Sequence, residues 1–147
     1  MKRAKARSIG HGLVALHIAT KKPNPSPAEV VQVVQAGLEF AELESLREQL
    51  DLPLDRFAEQ LGLSRATLHR RKASGRLTSD ESDKVLRFAR LLGQAVQLFG
   101  GIEPARQWLK APQRGLGGAV PLDYAQTETG AREVENLLGR IDYGVYS

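Results

Sequence analysis

From Ser26 onward the apolar residues fall at three- and four-residue steps, the period of helices with one face turned inward. Ser26 is placed to cap and Pro27 suits a first helical position, so Val30, Val31, Val33 and Val34 form an apolar face that ends at Gly37. A valine run also has strand propensity. The cap, and the lack of a partner strand pattern anywhere in the chain, favour helix. Phe40, Leu43, Leu46 and Leu50 mark a second helix over residues 39–50, and Pro53 opens a third, short one that reaches Leu61. Thr78-Ser79-Asp80-Glu81 has the Ser/Thr-x-x-Glu form of a capping box. It begins a longer helix with the stripe Val85, Phe88, Leu92, Ala95 and Phe99, which Gly100-Gly101 stops. A further helix holds Ala105, Trp108 and Leu109, with Trp108 assigned to the core. Residues 111–121 read as a Gly/Pro-rich loop in which Leu116 to Gly118 turn the chain sharply. A last helix, capped near Thr127, carries Val134, Leu138, Ile141 and Val145 on one face. The fold class is all-α.

Within this pattern, Leu54-Asp-Arg-Phe-Ala58-Glu-Gln-Leu-Gly62-Leu-Ser64-Arg-Ala-Thr-Leu68-His-Arg-Arg-Lys72 has helix-turn-helix spacing. Phe57, Ala58 and Leu61 face inward, and Ala58 is small where two helices cross closely. Gly62 sits at the turn, where a positive φ is cheap only without a Cβ. Leu63 buries the turn, Ser64 caps the second helix and Leu68 plugs into the core. The outward positions are then Arg65, Thr67, His69, Arg70 and Lys72. A recognition helix offers bases its N-terminal residues, so Arg65, Thr67 and His69 are candidates for reading base edges. Arg70, Arg71, Lys72 and Arg76 are candidates for phosphate. Position 71 is one where helix-turn-helix patterns place an apolar residue, and an arginine there calls for its stem to snorkel along the core.

Charge sharpens this picture. The chain of 147 residues carries +4, but residues 1–76 hold 13 Lys/Arg against 8 Asp/Glu while the remainder holds 8 against 9. The positive field belongs to the first half, and residues 65–76 contain five Lys/Arg and no acid, the footprint of a nucleic-acid-binding element. Residues 1–26 are basic without an acid and close on a Pro-rich stretch. They read as a flexible arm that either adds phosphate contacts or serves as a solubilising tail. The apolar stretch at residues 12–19 is too short for a secretory leader, and no run approaches the roughly 20 residues that cross a bilayer. A cytoplasmic protein is expected, without a membrane partner.

The chemistry of enzymes is missing. There is no cysteine, and the histidines at positions 11, 17 and 69 lack metal-ligand spacing. Gly115-Leu116-Gly117-Gly118 has no strand before it and no Gly-Lys-Ser/Thr ending, so it reads as a turn rather than a nucleotide loop. Asp123, Glu128, Glu133 and Glu135 flank a helix start, where they complement its dipole. No catalytic residue, metal or cofactor is expected.

Residues 98–122, with Phe99-Gly100, Ala105-x-x-Trp108-Leu109, Pro112 and Leu116-Gly-Gly-x-x-Pro121-Leu122, resemble the C-terminal module of the Xre/ParS/MbcA antitoxins. The last helix and tail and the recognition helix with Leu77-Thr-Ser-Asp-Glu-Ser82 resemble the same family, so the likeness covers residues 37–147. It implies an Xre-like helix-turn-helix domain (27–77) and a toxin-binding domain (78–147), and the basic arm (1–26) lies outside it. It further implies a homodimer that represses its own operator, and a partner toxin of the RES type that consumes NAD or transfers ADP-ribose. In that scheme the tail blocks the toxin's active-site entrance, which assigns Arg140, Tyr143, Val145, Tyr146 and Ser147 to toxin binding. Tyr143 and Tyr146 have the size and rigidity of interface anchors, or they fold back on their own domain. The rival reading is a stand-alone helix-turn-helix regulator whose second half dimerises or senses a ligand.

Overall fold

The computed structural model describes residues 26–144. The expected arm lies outside the described residues except for Ser26, as do Val145, Tyr146 and Ser147. Eight helices occupy the described residues: α1 (Pro27–Ala36), α2 (Phe40–Leu50), α3 (Leu54–Leu61), α4 (Arg65–Ser74), α5 (Ser79–Phe99), α6 (Ile102–Leu109), α7 (Pro121–Tyr124) and α8 (Glu128–Asp142). A 3-10 turn at Arg114–Leu116 lies between α6 and α7.

The valine-rich stretch is helical because Ser26 and Glu29 close a full capping box. Ser26 Oγ accepts from the Glu29 amide, and Glu29 Oε1 accepts from the Ser26 amide at 2.7 Å. Its apolar face is narrower than expected. Val30, Val33 and Val34 lie half-buried against the core, whereas Val31 is 52% exposed. The segment expected to be loop also contains more structure than its glycines suggest. Gly117 and Gly118 take positive φ and let Gln113 bridge to Ala119, after which Pro121 starts α7. Leu122 and Ala125 at that short helix are fully buried.

The centre of the molecule is α5. Val85, Phe88, Leu91, Leu92 and Ala95 are all buried, with Leu86, Ala89 and Gly93, so the helix is covered on more than one side. It packs against α1, α2 and α3 from the first half of the chain and against α6 and α8 from the second. The boundary expected at 77/78 therefore falls just before a helix that serves both segments. Phe88 meets Phe57 of α3 edge-on at 5.7 Å, and Phe99 meets Trp108 of α6 at the same separation. Trp108 is thus half-buried core, as its spacing suggests.

Two chain corners are stitched together beside the start of α5. Leu77 donates its amide to the Leu38 carbonyl at 2.8 Å, and Phe40 donates to Gly75 at 2.9 Å. The Ser82 hydroxyl accepts from the Leu38 amide. Gly37 is required here: its φ is +92°, and a Cβ would overlap the Leu77 carbonyl oxygen.

One core position is chemically out of place. Glu42 of α2 is 1% exposed, and neither carboxyl oxygen has a hydrogen-bond partner. Burial, reinforced by nearby Glu39, pushes its pKa up to about 8. An unfolded chain ionises this group near pH 4.5, so the folded state falls behind progressively from there up to about pH 8. Glu42→Gln removes that loss. The variant should gain roughly 4 kcal/mol over the parent at pH 8 and little at pH 4.5. Urea denaturation at the two pH values measures this, and an identical gap at both would refute a buried neutral carboxyl.

Candidate nucleic-acid and partner interfaces

The helix-turn-helix is built as its residues dictate. Ala58 and Leu61 are buried on α3, and Gly62 ends the helix at φ +75° with its amide returned to Ala58 and Glu59. Leu63 donates its amide to the Ala58 carbonyl at 2.8 Å. Ser64 then caps α4, its hydroxyl accepting from the Thr67 amide. Leu68 is the buried side chain of α4, so the helix lies on the molecule with most of its surface in solvent.

Arg65, His69, Arg70 and Lys72 are exposed, and the Arg65 side chain is 85% so, with only a 3.7 Å approach to Asp55, itself exposed. Such a pair holds little energy and leaves the guanidinium free to move. Thr67 is half-buried instead, and its Oγ1 accepts from both the Ser64 hydroxyl and the Arg70 guanidinium. Of its hydrogen-bonding capacity the donor proton remains, along with the methyl group. The centre of the exposed face is occupied by Ala66 and Ala73, with His69 and Arg70 beside them and Arg65 at the rim. These two alanines were not singled out by sequence. The 100° step places them opposite Leu68 and Arg71, and that geometry is the signal that identifies them.

Two of the expected phosphate ligands are committed elsewhere. Arg76 donates to the Gly37 carbonyl at 2.6 Å and helps lock the corner before α2. Arg71 turns inward, and its Nε donates to Glu81 Oε1 at 2.7 Å. The same carboxylate oxygen accepts the Thr78 amide at 2.9 Å, while Thr78 Oγ1 accepts the Glu81 amide. One residue therefore caps α5 and pairs with the inward arginine of α4. Burial pushes the Glu81 carboxyl up, but the Arg71 guanidinium and the Thr78 donors outweigh it and hold the group below the usual carboxylate range. The hydrogen bond to Glu81 raises Arg71 in turn. The cations of this helix that stay exposed to solvent are accordingly Arg65, Arg70 and Lys72.

In the second half, α6, α7 and α8 enclose Ala105, Leu109, Leu122, Ala131, Val134 and Leu138. Gly130 is pressed against the Tyr124 carbonyl, so α7 and α8 meet at a corner that admits no Cβ. Asp123 and Glu128 do more than complement a helix dipole: Asp123 binds Arg56, and Glu128 binds Arg87 and Arg132. Arg140 and Tyr143 are exposed near the end of α8, and Tyr143 at 85% does not fold back on the domain. Val145, Tyr146 and Ser147, the remaining expected toxin contacts, lie outside the described residues. No group of His, Cys, Asp or Glu able to hold a metal occurs among the described residues, and no described helix is long and apolar enough to cross a membrane.

Taken together, these features define a helix-turn-helix protein with a helical module built onto the same central helix. Residues 29–90 match the antitoxin Xre-like helix-turn-helix domain, and residues 94–144 match the antitoxin Xre/MbcA/ParS C-terminal toxin-binding domain. The Antitoxin Xre of Yersinia enterocolitica is 36% identical over 120 residues, 80% of this chain and 81% of that protein. The Antitoxin Xre of Photorhabdus laumondii is 44% identical over 84 residues, 56% and 57% of the two chains. The Prs ADP-ribosylating antitoxin of a Sphingobium species is 26% identical over 132 residues, 83% of each. The chain belongs to the Xre/MbcA/ParS antitoxin family.

The Arg71–Glu81 contact has a definite pH signature. A carboxyl with a lowered folded pKa stabilises the protein above its unfolded value and loses that contribution as pH falls through the folded one. The parent should therefore be more stable than Glu81→Gln near pH 7, and the two should converge in acid, once the pH has fallen through the lowered folded pKa. Chemical denaturation under both conditions tests this; a gap that persists in acid would mean that the ion pair contributes nothing.

Proposed function

We propose that this antitoxin neutralises a RES-type toxin, one that consumes NAD or transfers ADP-ribose, through its C-terminal module and tail. We further propose that it represses its own operon as a homodimer through α3 and α4. The observation that carries the reading is the pairing, on one central helix, of an acid-free exposed helix with a toxin-binding module whose last described aromatic, Tyr143, is almost wholly in solvent. An 85% exposed tyrosine, three residues after exposed Arg140, has the size and amphipathic character of an interface anchor. The name of the Sphingobium relative, Prs ADP-ribosylating antitoxin, supports the assignment of the toxin class.

On the DNA side, Arg65 is the candidate base reader, with Ser64 fixing the helix start and Thr67 and His69 flanking it, and Arg70 and Lys72 take phosphate. Thr67 retains a donor and a methyl, so it suits a base acceptor or a thymine methyl. The face is open enough for a major groove because Ala66 and Ala73, at its centre, add no bulk.

Removing residues 143–147 should abolish protection against the product of the neighbouring gene in a co-expression growth assay, with DNA binding retained. Full protection by the truncated chain would defeat the tail-block mechanism. Arg65→Ala should lower the preference for the operator by about tenfold, whereas Arg70→Ala should weaken all duplexes alike and reduce the salt slope by about 1. Fluorescence anisotropy across a salt series separates the two effects; equal loss on operator and scrambled DNA for Arg65→Ala would remove it from the base readers.

A further inference from the structure

The helix-turn-helix is gripped from outside its own half of the chain. Arg56, on the outer side of α3, donates through Nη2 to both oxygens of Asp123, at 2.8 and 3.1 Å. Gln60, one turn further on, donates its amide nitrogen to Asp123 Oδ1 at 3.0 Å. Gln60 is only 4% exposed, and its Oε1 has no partner, so Asp123 supplies the one side-chain hydrogen bond its amide makes. Three residues later in the same corner, Gln126 donates to the Glu59 carbonyl, and Arg87 of α5 donates to the Gln126 carbonyl.

The carboxylate that makes this grip is held rigidly. Asp123 rides on α7, a single turn whose neighbours Leu122 and Ala125 are fully buried, and the α7–α8 corner is closed by the Gly130 contact with Tyr124. On the other side, α3 is locked to α4 through Gly62, Leu63 and Ser64. A shift of α3 about its Phe57–Phe88 contact would carry the exposed face of α4 with it. Three donor–acceptor contacts to Asp123, spanning 63 to 67 residues of sequence, oppose that shift.

We infer that Asp123 is a positioning residue for DNA recognition: the C-terminal module sets the angle of the recognition helix by holding Arg56 and Gln60. This deepens the reading of α4 as a DNA-binding helix and rests on it. The sign of the effect distinguishes positioning from bulk electrostatics. Asp123→Asn removes a negative charge, and a more positive protein should bind any duplex as well or better. Loss of the grip predicts the opposite on the specific site.

The test measures anisotropy of the full chain on a duplex taken from directly upstream of its own gene and on a scrambled duplex of equal length. Asp123→Asn should bind the upstream duplex about two- to fivefold more weakly, the size expected for a half-exposed ion pair, and the scrambled duplex no more weakly than the parent. Gln60→Met removes a donor without any change in charge and should lower the upstream affinity alone. If both variants bind the upstream duplex as tightly as the parent, Asp123 does not position the helix. If the parent itself shows no preference for the upstream duplex, the underlying reading of DNA recognition fails instead.

Discussion

Everything in this structure depends on one helix being buried along its length by two sets of neighbours. A surface helix satisfies its apolar residues on a single stripe. α5 places Val85, Phe88 and Leu92 alongside Leu86, Ala89 and Leu91, so it would leave a large apolar surface in water if either half of the chain were removed. The helix-turn-helix and the toxin-binding module are therefore not two beads on a string but two coats on one rod. The family descriptions part between residues 90 and 94, within that rod, rather than in a linker.

A shared core of this kind fixes where α5 lies but leaves the small hairpin of α3 and α4 with little apolar area of its own. Polar contacts finish the job from both ends. Glu81, which begins the rod, takes the Arg71 guanidinium at a position where an aliphatic side chain would normally pack, and Asp123 takes Arg56 and Gln60 from the far side. Apolar packing is tolerant of small rotations, whereas paired hydrogen bonds have direction. The hairpin is thus located by hydrophobic contact and oriented by two carboxylates.

Most of the architecture was legible in the chain because it rests on periodicity and caps, which are local. Ser26, Thr78, Thr127 and Gly62 announce helix ends within a few residues of where they act. What was hidden is what depends on distant partners. Arg71 could be placed inward by its spacing, but Glu81 reads as a capping-box residue and nothing local marks its second role. Asp123 likewise reads as a charge near a helix start until the fold brings Arg56 to it. The short α7 was masked by the glycines before it, which serve a turn rather than an extended loop. On the recognition helix, Ala66 and Ala73 escape notice because a methyl group gives no chemical cue, although the helical step makes them the centre of the exposed face.

Glu42 has a consequence for how this protein presents itself to other charges. With a pKa near 8 it keeps its proton at neutral pH, so the folded molecule is about one unit more positive than the +4 counted from its sequence. Folding near neutrality then draws a proton from the buffer, and unfolding returns it. The native antitoxin is in this sense a slightly different polyelectrolyte from its own unfolded chain, and the extra positive charge exists only while the structure that carries α4 is intact.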